Sequence, residues 1–146
     1  ILFDNNSDLD QLIQLRRHIK KYKNIKLIES KENLGCAKGR VEATKIAKGE
    51  YYLFLDNDIV VTPYYLENLI KILEKKREIV AVCMKVIFPD MRIQFNGGIL
   101  LEDEYFYRFD LLDSFKLFWD QTTTNNFKFC PWIPGGATLW KAKHNR

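Results

Sequence analysis

The sequence predicts an α/β fold in which helices flank a mostly parallel sheet. Short apolar runs alternate along the chain with stretches whose apolar residues recur at helical spacing. One run, residues 51–55, is wholly aromatic or aliphatic and has the length of a buried strand. Strands that alternate with helices form βαβ units, whose right-handed crossovers make successive strands parallel.

Local signals predict where the helices begin and end. Ser7 and Thr62 are residue types that cap helices, and Pro63 suits a first helical turn. A further helix is expected to follow the loop 30–35 and to stop at Gly49. Strands are expected at residues 1–3, 25–29, 51–55, 79–88, 92–95, 98–101 and 127–133, with 137–143 as strand or helix.

Two stretches of the second half are open to more than one interpretation. Residues 92–95 and 98–101 are expected to pair around Asn96-Gly97. Residues 102–126 are rich in aromatics without clean periodicity, which favours an excursion over the sheet. A membrane-contacting segment is the alternative, although the stretch has no dense basic face.

Composition favours one domain without nucleic-acid partners. The chain has 146 residues, a net charge of +4 and basic residues mainly on predicted helix faces. Its three cysteines are widely spaced, which is typical of free thiols in a reducing compartment. No apolar run approaches the ~20 residues of a membrane span. The chain opens inside an apparent strand without Met, so we expect a piece of a longer protein.

The strand at 51–55 stops at two carboxylates, Asp56 and Asp58, which indicates a binding site. Burying them unpaired would cost several kcal/mol or more, so they are expected at the mouth of the strand. Ligands of open α/β sheets bind at that edge. A divalent cation, Mg²⁺ or Mn²⁺, would relieve the repulsion and complete its shell with phosphates of a nucleotide or sugar diphosphate. The alternative is a plain polar turn.

Two earlier loops are expected to meet the acidic pair at the same edge. Asp4 follows the first strand and could accept a hydrogen bond from a base or ribose. The second loop contains Asn33 and Gly35, and Gly35 would let a flat ring approach. Arg40 could reach back to the ligand or be a surface charge.

These motifs resemble those of the family 2 glycosyltransferases, which have the Rossmann-like GT-A fold. The matching stretches are Asp4-Asn5-Asn6-Ser7, Asn33-Leu34-Gly35-Cys36-Ala37-Lys38-Gly39-Arg40, Gly49 through Asp58, and Trp132-Ile133-Pro134-Gly135-Gly136-Ala137.

The resemblance implies a role for each matched residue. Asp4 would contact the nucleotide base, with Asn33, Gly35 and Arg40 along the base and its loop. Asp56 would hold the ribose or the metal, and Asp58 would coordinate the metal. Trp132 would stack on a sugar, unless it is a core tryptophan, and Gly135 and Gly136 would let the sugar approach.

The resemblance also implies what this chain lacks. The family's first strand precedes the segment that holds Asp4, and its catalytic base lies in a motif expected beyond Arg146. Val41 stands where the family often has Asn. We therefore expect an incomplete, truncated GT-A domain that keeps part of the donor site and is inactive alone.

The implied function is metal-assisted, inverting sugar transfer from a nucleotide-diphosphate donor to a glycan, lipid-linked or protein acceptor. The expected setting is polysaccharide or glycoprotein assembly at the cytoplasmic side of a membrane, with possible peripheral contact. One alternative is a non-catalytic nucleotide- or sugar-binding module, or a degenerate fragment. Another is a haloacid-dehalogenase-like phosphatase, in which Asp56 would be the nucleophile; Ile59 stands where that class usually has Gly.

Overall fold

The structure, a computed structural model, describes residues 1–102, 107–120 and 129–144. The chain divides into two compact units, Ile1–Gly49 and Glu50–Arg146. The organisation of both units as a single domain stays a prediction.

The first unit is a parallel strand pair with two helices. Its elements in chain order are β1 (Leu2–Asp4), α1 (Leu9–Ile19), β2 (Leu27–Glu29) and α2 (Gly35–Thr44). β1 and β2 are parallel, as predicted, and Asp4 lies opposite Glu29. A Cβ on Gly39 would come within 3.1 Å of the Phe3 ring, so glycine lets α2 lie close against β1.

The helix boundaries of the first unit differ from the prediction. The residue that caps α1 is Asp8 rather than Ser7, whose backbone N–H donates instead to the Asp4 carboxylate. α2 ends at Thr44, ahead of Gly49. The hydrogen bond from the Ser7 N–H to the Asp4 carboxylate thus keeps Ser7 in the loop before α1.

The second unit contains seven strands and one α-helix in the part of the chain that the structure describes. They are β3 (Tyr51–Leu55), α3 (Tyr65–Lys75), β4 (Ala81–Cys83), β5 (Val86–Ile87), β6 (Ile93–Phe95), β7 (Gly98–Glu102), β8 (Tyr107–Leu111) and β9 (Ala137–Lys141), with 3-10 turns at Phe118–Asp120 and Ala142–His144.

The principal sheet of this unit has the order β3-β9-β4. β9 is antiparallel to both neighbours, and Leu55 at the end of β3 lies opposite Ala137. The α/β class is confirmed, but parallel pairing among the described strands is limited to β1 and β2, because β9 separates β3 from β4. α3 covers one face of this sheet through Leu69 and Leu73, which pack with Leu139.

Several predicted boundaries in the second unit were wrong. The predicted strand 79–88 is two strands, since β4 pairs with β9 whereas β5 pairs with β6. The strands on either side of Asn96-Gly97 do not pair with each other, because β7 pairs with β8. α3 begins at Tyr65 rather than at Thr62, after Tyr64 adopts a left-handed backbone with φ 62°.

Other predictions lie partly outside the described residues. For the strand 127–133, residues 127–128 lie outside, and the described residues 129–133 form no strand. For the aromatic excursion 102–126, residues 103–106 and 121–126 lie outside, while β8 and a 3-10 turn occupy part of the rest. No helix within the described ranges is both long and apolar enough to cross a membrane.

Candidate functional site

In the first unit, the loops that follow β1 and β2 are joined by the side chain of Asn5. Its Nδ2 donates to Asn33 Oδ1 over 2.9 Å, and its Oδ1 accepts from the backbone N–H of Leu34 over 2.7 Å. Parallel neighbouring strands place their following loops at the same edge. These two loops therefore meet, and Asn5, absent from the predicted site, is the residue that links them. Their convergence with the acidic pair stays a prediction.

Asp4 is held at the end of β1 with its side chain turned inward. The residue is 6% exposed, and its Oδ2 accepts from the Ser7 backbone N–H over 3.2 Å. Its carbonyl accepts from the Ser30 N–H, which ties β1 to the loop after β2. A buried carboxylate with only one short-range backbone donor among the described residues keeps acceptor capacity for a ligand.

Gly35 begins α2 in a conformation that needs glycine. Its φ is +72°, and its N–H donates to Asn33 Oδ1 over 2.9 Å. A side chain at this position would be strained. Arg40 lies on the same helix and is half-buried, so the four predicted residues of this unit occupy two neighbouring loops and one helix.

An ion pair braces β2 beside Asp4. Arg16 of α1 donates through Nε and Nη2 to the two oxygens of Glu29, at 2.7 and 2.6 Å. The hydrogen bond from Arg16 lowers the pKa of Glu29, although burial and the nearby charge of Asp4 act against it. Glu29 therefore stays ionised and fixes the end of β2 opposite Asp4.

In the second unit, Asp56 lies directly after β3 and is fixed by the segment before β9. Its backbone N–H donates to the Gly136 carbonyl over 2.8 Å, and its own carbonyl accepts from Ile59 over 3.2 Å in a turn. Antiparallel pairing of β9 with β3 brings Gly136 to this position. The end of β3 therefore holds the turn that carries Asp56 and Asp58, the acidic turn, in a fixed position.

The Asp56 carboxylate occupies the space that a side chain at Gly136 would fill. A Cβ built there would come within 2.6 Å of Asp56 Cγ, closer than real contacts allow, and would overlap Oδ2. Gly136 was predicted to let a sugar approach. In the structure its missing side chain makes room for the carboxylate.

Asp58 lies at the exposed tip of the same turn. The residue makes no hydrogen bond or ion pair with the part of the chain that the structure describes. Within that part, no cluster of three or more metal-binding side chains occurs. Two exposed carboxylates still fit Mg²⁺ or Mn²⁺, since such ions commonly retain waters and take further oxygens from substrate phosphates.

Tyr65 of α3 anchors the beginning of β9 and was not predicted. Its buried hydroxyl donates to the Ala137 carbonyl over 2.8 Å, directly after Gly136. Burial raises the pKa of Tyr65 to about 12, with a smaller effect of Cys83, so the hydroxyl stays a donor at neutral pH. No local pattern marks this tyrosine, because it occupies an ordinary core position of the helix.

Trp132 lies against the start of β7. Its ring is tilted by 60° to that of Phe95 at 5.3 Å, and Nε1 would lie 3.0 Å from a Cβ on Gly98. Half-buried packing of this kind matches the core alternative, and sugar stacking by the remaining face stays a prediction. Gly135 is exposed beside Gly136.

Comparisons with known proteins identify the family. The family model described as "Glycosyl transferase family 2" matches residues 1–129. The chain belongs to the family 2 glycosyltransferases. This confirms the resemblance seen in the strand-end motifs, and it leaves the phosphatase alternative without support.

This family 2 glycosyltransferase chain is similar to two curated relatives. An uncharacterized glycosyltransferase of Methanocaldococcus jannaschii is 35% identical over 98 residues, 67% of this chain and 32% of the relative. Polypeptide N-acetylgalactosaminyltransferase 11 of Xenopus tropicalis is 31% identical over 107 residues, 68% of this chain and 17% of the relative. The chain thus spans a third or less of the length of the curated relatives it matches.

Proposed function

We propose that this chain forms the donor-binding part of a glycosyltransferase that moves a sugar from a nucleotide diphosphate to a hydroxyl group. The observation that carries the proposal is the position of the Asp56 carboxylate, which lies at the end of β3 against the bare Cα of Gly136. The absent side chain of Gly136 leaves room for this carboxylate, and only Asn57 separates Asp56 from the exposed Asp58. The two aspartates supply hard oxygen ligands at the end of a strand.

Each unit is assigned its own portion of the donor. In the first unit, Asp4 accepts from the base, and the Asn33-Gly35 loop with Arg40 lies along the nucleoside. The hydrogen bonds from Asn5 hold this loop in place before the ligand binds, which lowers the ordering cost of binding.

In the second unit, Asp56 and Asp58 hold Mg²⁺ or Mn²⁺ on the diphosphate. The bound ion would offset the charge that develops on the leaving nucleoside diphosphate. Gly136 keeps Asp56 in position, and Gly135 and Trp132 border the space for the transferred sugar.

The acceptor is a hydroxyl of a glycan, a lipid-linked saccharide or a protein, and transfer inverts the anomeric centre. The similarity to the relative named polypeptide N-acetylgalactosaminyltransferase 11 supports a protein acceptor. We place the reaction at the cytoplasmic side of a membrane, with peripheral contact, as the sequence motifs suggested. The residue that deprotonates the acceptor is not assigned within this chain.

A non-catalytic nucleotide-sugar-binding module would use the same donor site. The two functions differ in whether the bond between sugar and diphosphate breaks. Release of labelled sugar from UDP-glucose or UDP-N-acetylglucosamine by the full-length protein would favour the transferase, whereas tight binding without release would favour the module.

The proposal is tested by water-proton relaxation with Mn²⁺ and, in turn, UDP, GDP and dTDP; the relaxation increases when the ion tumbles with the protein. With one of the nucleotides we expect enhanced relaxation for the 146-residue chain and a return to the level of Mn²⁺ and nucleotide in buffer for Asp58→Ala. Glu74→Ala, which removes an exposed carboxylate from α3, is the matched control and should behave as the unmodified chain. Equal enhancement with Asp58→Ala would rule out the acidic turn as the metal site.

A further inference from the structure

A concave site lies in the second unit, at the turn that joins β5 to β6. It is a surface cavity of about 440 Å³ lined by Phe88, Pro89, Asp90, Arg92 and Phe115. This volume lies in the range of small-molecule sites. None of these residues belongs to the donor site described above.

Backbone hydrogen bonds from two segments hold the walls of this cavity. The Phe88 N–H donates to the Arg92 carbonyl over 2.8 Å, which closes the turn. The N–H of Phe115 donates to the carbonyl of the fully buried Ile93 over 2.8 Å, which fixes the opposite wall. The cavity is therefore formed before any ligand arrives.

Two bulky residues of this region adopt left-handed backbone conformations. Met91 has φ 66° and Phe115 has φ 62°. Such conformations cost on the order of 1–3 kcal/mol each for non-glycine residues and tend to occur at ligand sites. Phe115 is 66% exposed, so its ring lies on the surface of the cavity instead of in a core.

The aromatic part of the wall suits the apolar face of a flat ring. The rings of Phe88 and Phe115 are stacked 5.9 Å apart with 15° between their planes. Aromatic rings that line an open cavity gain free energy when a ligand with C–H groups covers them. Sugar rings present C–H groups of this kind on one face.

The polar part of the wall is an ion pair with no net charge. Arg92 donates through Nε to Asp90 Oδ2 over 2.7 Å, and its backbone N–H donates to Oδ1 over 3.1 Å. The side chains are 53% and 49% exposed, so both can meet a ligand. The hydrogen bond from Arg92 lowers the pKa of Asp90, which keeps the carboxylate an acceptor at neutral pH.

We infer that this cavity binds a neutral saccharide, with one sugar ring on Phe115 and its hydroxyls on Asp90 and Arg92. Sugar hydroxyls both donate and accept hydrogen bonds, so they can bind a carboxylate and a guanidinium that lie side by side. An anionic ligand would be repelled by the negative charge of Asp90. Resting on the proposed function, this inference favours a saccharide among the proposed acceptors.

Saturation-transfer NMR with cellobiose, lactose and chitobiose tests the inference without nucleotide or metal. We expect saturation transfer to at least one disaccharide. Phe115→Ala should lower the affinity for that disaccharide by about tenfold, whereas Phe115→Tyr should retain it. Trp119→Ala is the matched control, because Trp119 is 65% exposed but does not line the cavity.

The outcomes separate this site from the donor site. Asp58→Ala should keep disaccharide binding, and Phe115→Ala should keep Mn²⁺-dependent nucleotide binding. Absence of transfer to all three disaccharides, or equal losses for Phe115→Ala and Trp119→Ala, would overturn the saccharide site whatever the result with the nucleotides.

Discussion

Gly136 is the residue whose missing side chain determines where the Asp56 carboxylate lies. Gly136→Ala should displace that carboxylate and lower Mn²⁺-dependent affinity for the nucleoside diphosphate by about 10- to 100-fold, the range seen when a metal ligand loses its positioning contact. Calorimetry would measure the loss, and thermal unfolding would verify that the variant is folded. Gly49→Ala, at an exposed glycine without a positive φ, is the control. Unchanged affinity in a folded Gly136→Ala would contradict this role.

Cys83 should make the stability of the chain depend on pH in the alkaline range. Burial, with a smaller effect of Cys130, raises the pKa of its thiol from 9.0 to about 12. Between those values the unfolded chain releases this proton while the folded chain keeps it, so the free energy of unfolding should fall as pH rises.

Urea unfolding at about pH 8 and about pH 11 would measure this fall. Cys83→Ala should reduce it, whereas Cys36→Ala, which removes an exposed thiol, should not. Equal falls for the two variants would show that the Cys83 thiol is not responsible.

Which site residues the sequence could predict depends on the range of their contacts. Asp56 and Asp58 could be located because the apolar run before them ends abruptly, and Asp4 for the same reason. The roles of Asn5 and Tyr65 could not, because their hydrogen-bond partners are 28 and 72 residues away in the chain. A local pattern carries no information about such partners.

Among the elements, β3 was predicted with its observed bounds, Tyr51–Leu55. The run is apolar throughout and ends at a charge, so local composition is sufficient. The region 79–101 was predicted poorly, since consecutive apolar residues there pair with different partners: β4 with β9, β5 with β6 and β7 with β8. Pairing with distant strands decided where each element breaks.

The contact between α3 and β9 should be a measurable source of stability. Tyr65→Phe removes the hydroxyl that donates to the buried carbonyl of Ala137, which should lower the free energy of unfolding by about 1–3 kcal/mol. Tyr64→Phe removes the hydroxyl of a neighbour that is 74% exposed and should change it by less than about 0.5 kcal/mol. Urea unfolding compares the two variants, and similar losses would show that the hydrogen bond contributes no specific stability.

At the scale of the whole molecule, the order of motifs along the chain was more informative than any single element. An acidic pair after a strand is by itself weak evidence for any family. Together with the two earlier loops and the later glycines, it predicted the family that the comparisons then showed. The antiparallel insertion of β9 was not predictable, because βαβ alternation ends before it. That insertion is nevertheless what brings Gly136 to Asp56.

The most direct test of the donor site is calorimetric titration of the chain with UDP, GDP and dTDP, with and without Mn²⁺. We predict that one nucleotide binds in the presence of Mn²⁺ and that Asp58→Ala lowers its affinity by at least about tenfold, since Asp58 is a proposed ligand of the ion. The nucleotide that binds would also narrow the choice of sugar. Binding that is independent of Mn²⁺ and of Asp58, or no binding by a chain shown to be folded, would contradict a metal-diphosphate site at the end of β3.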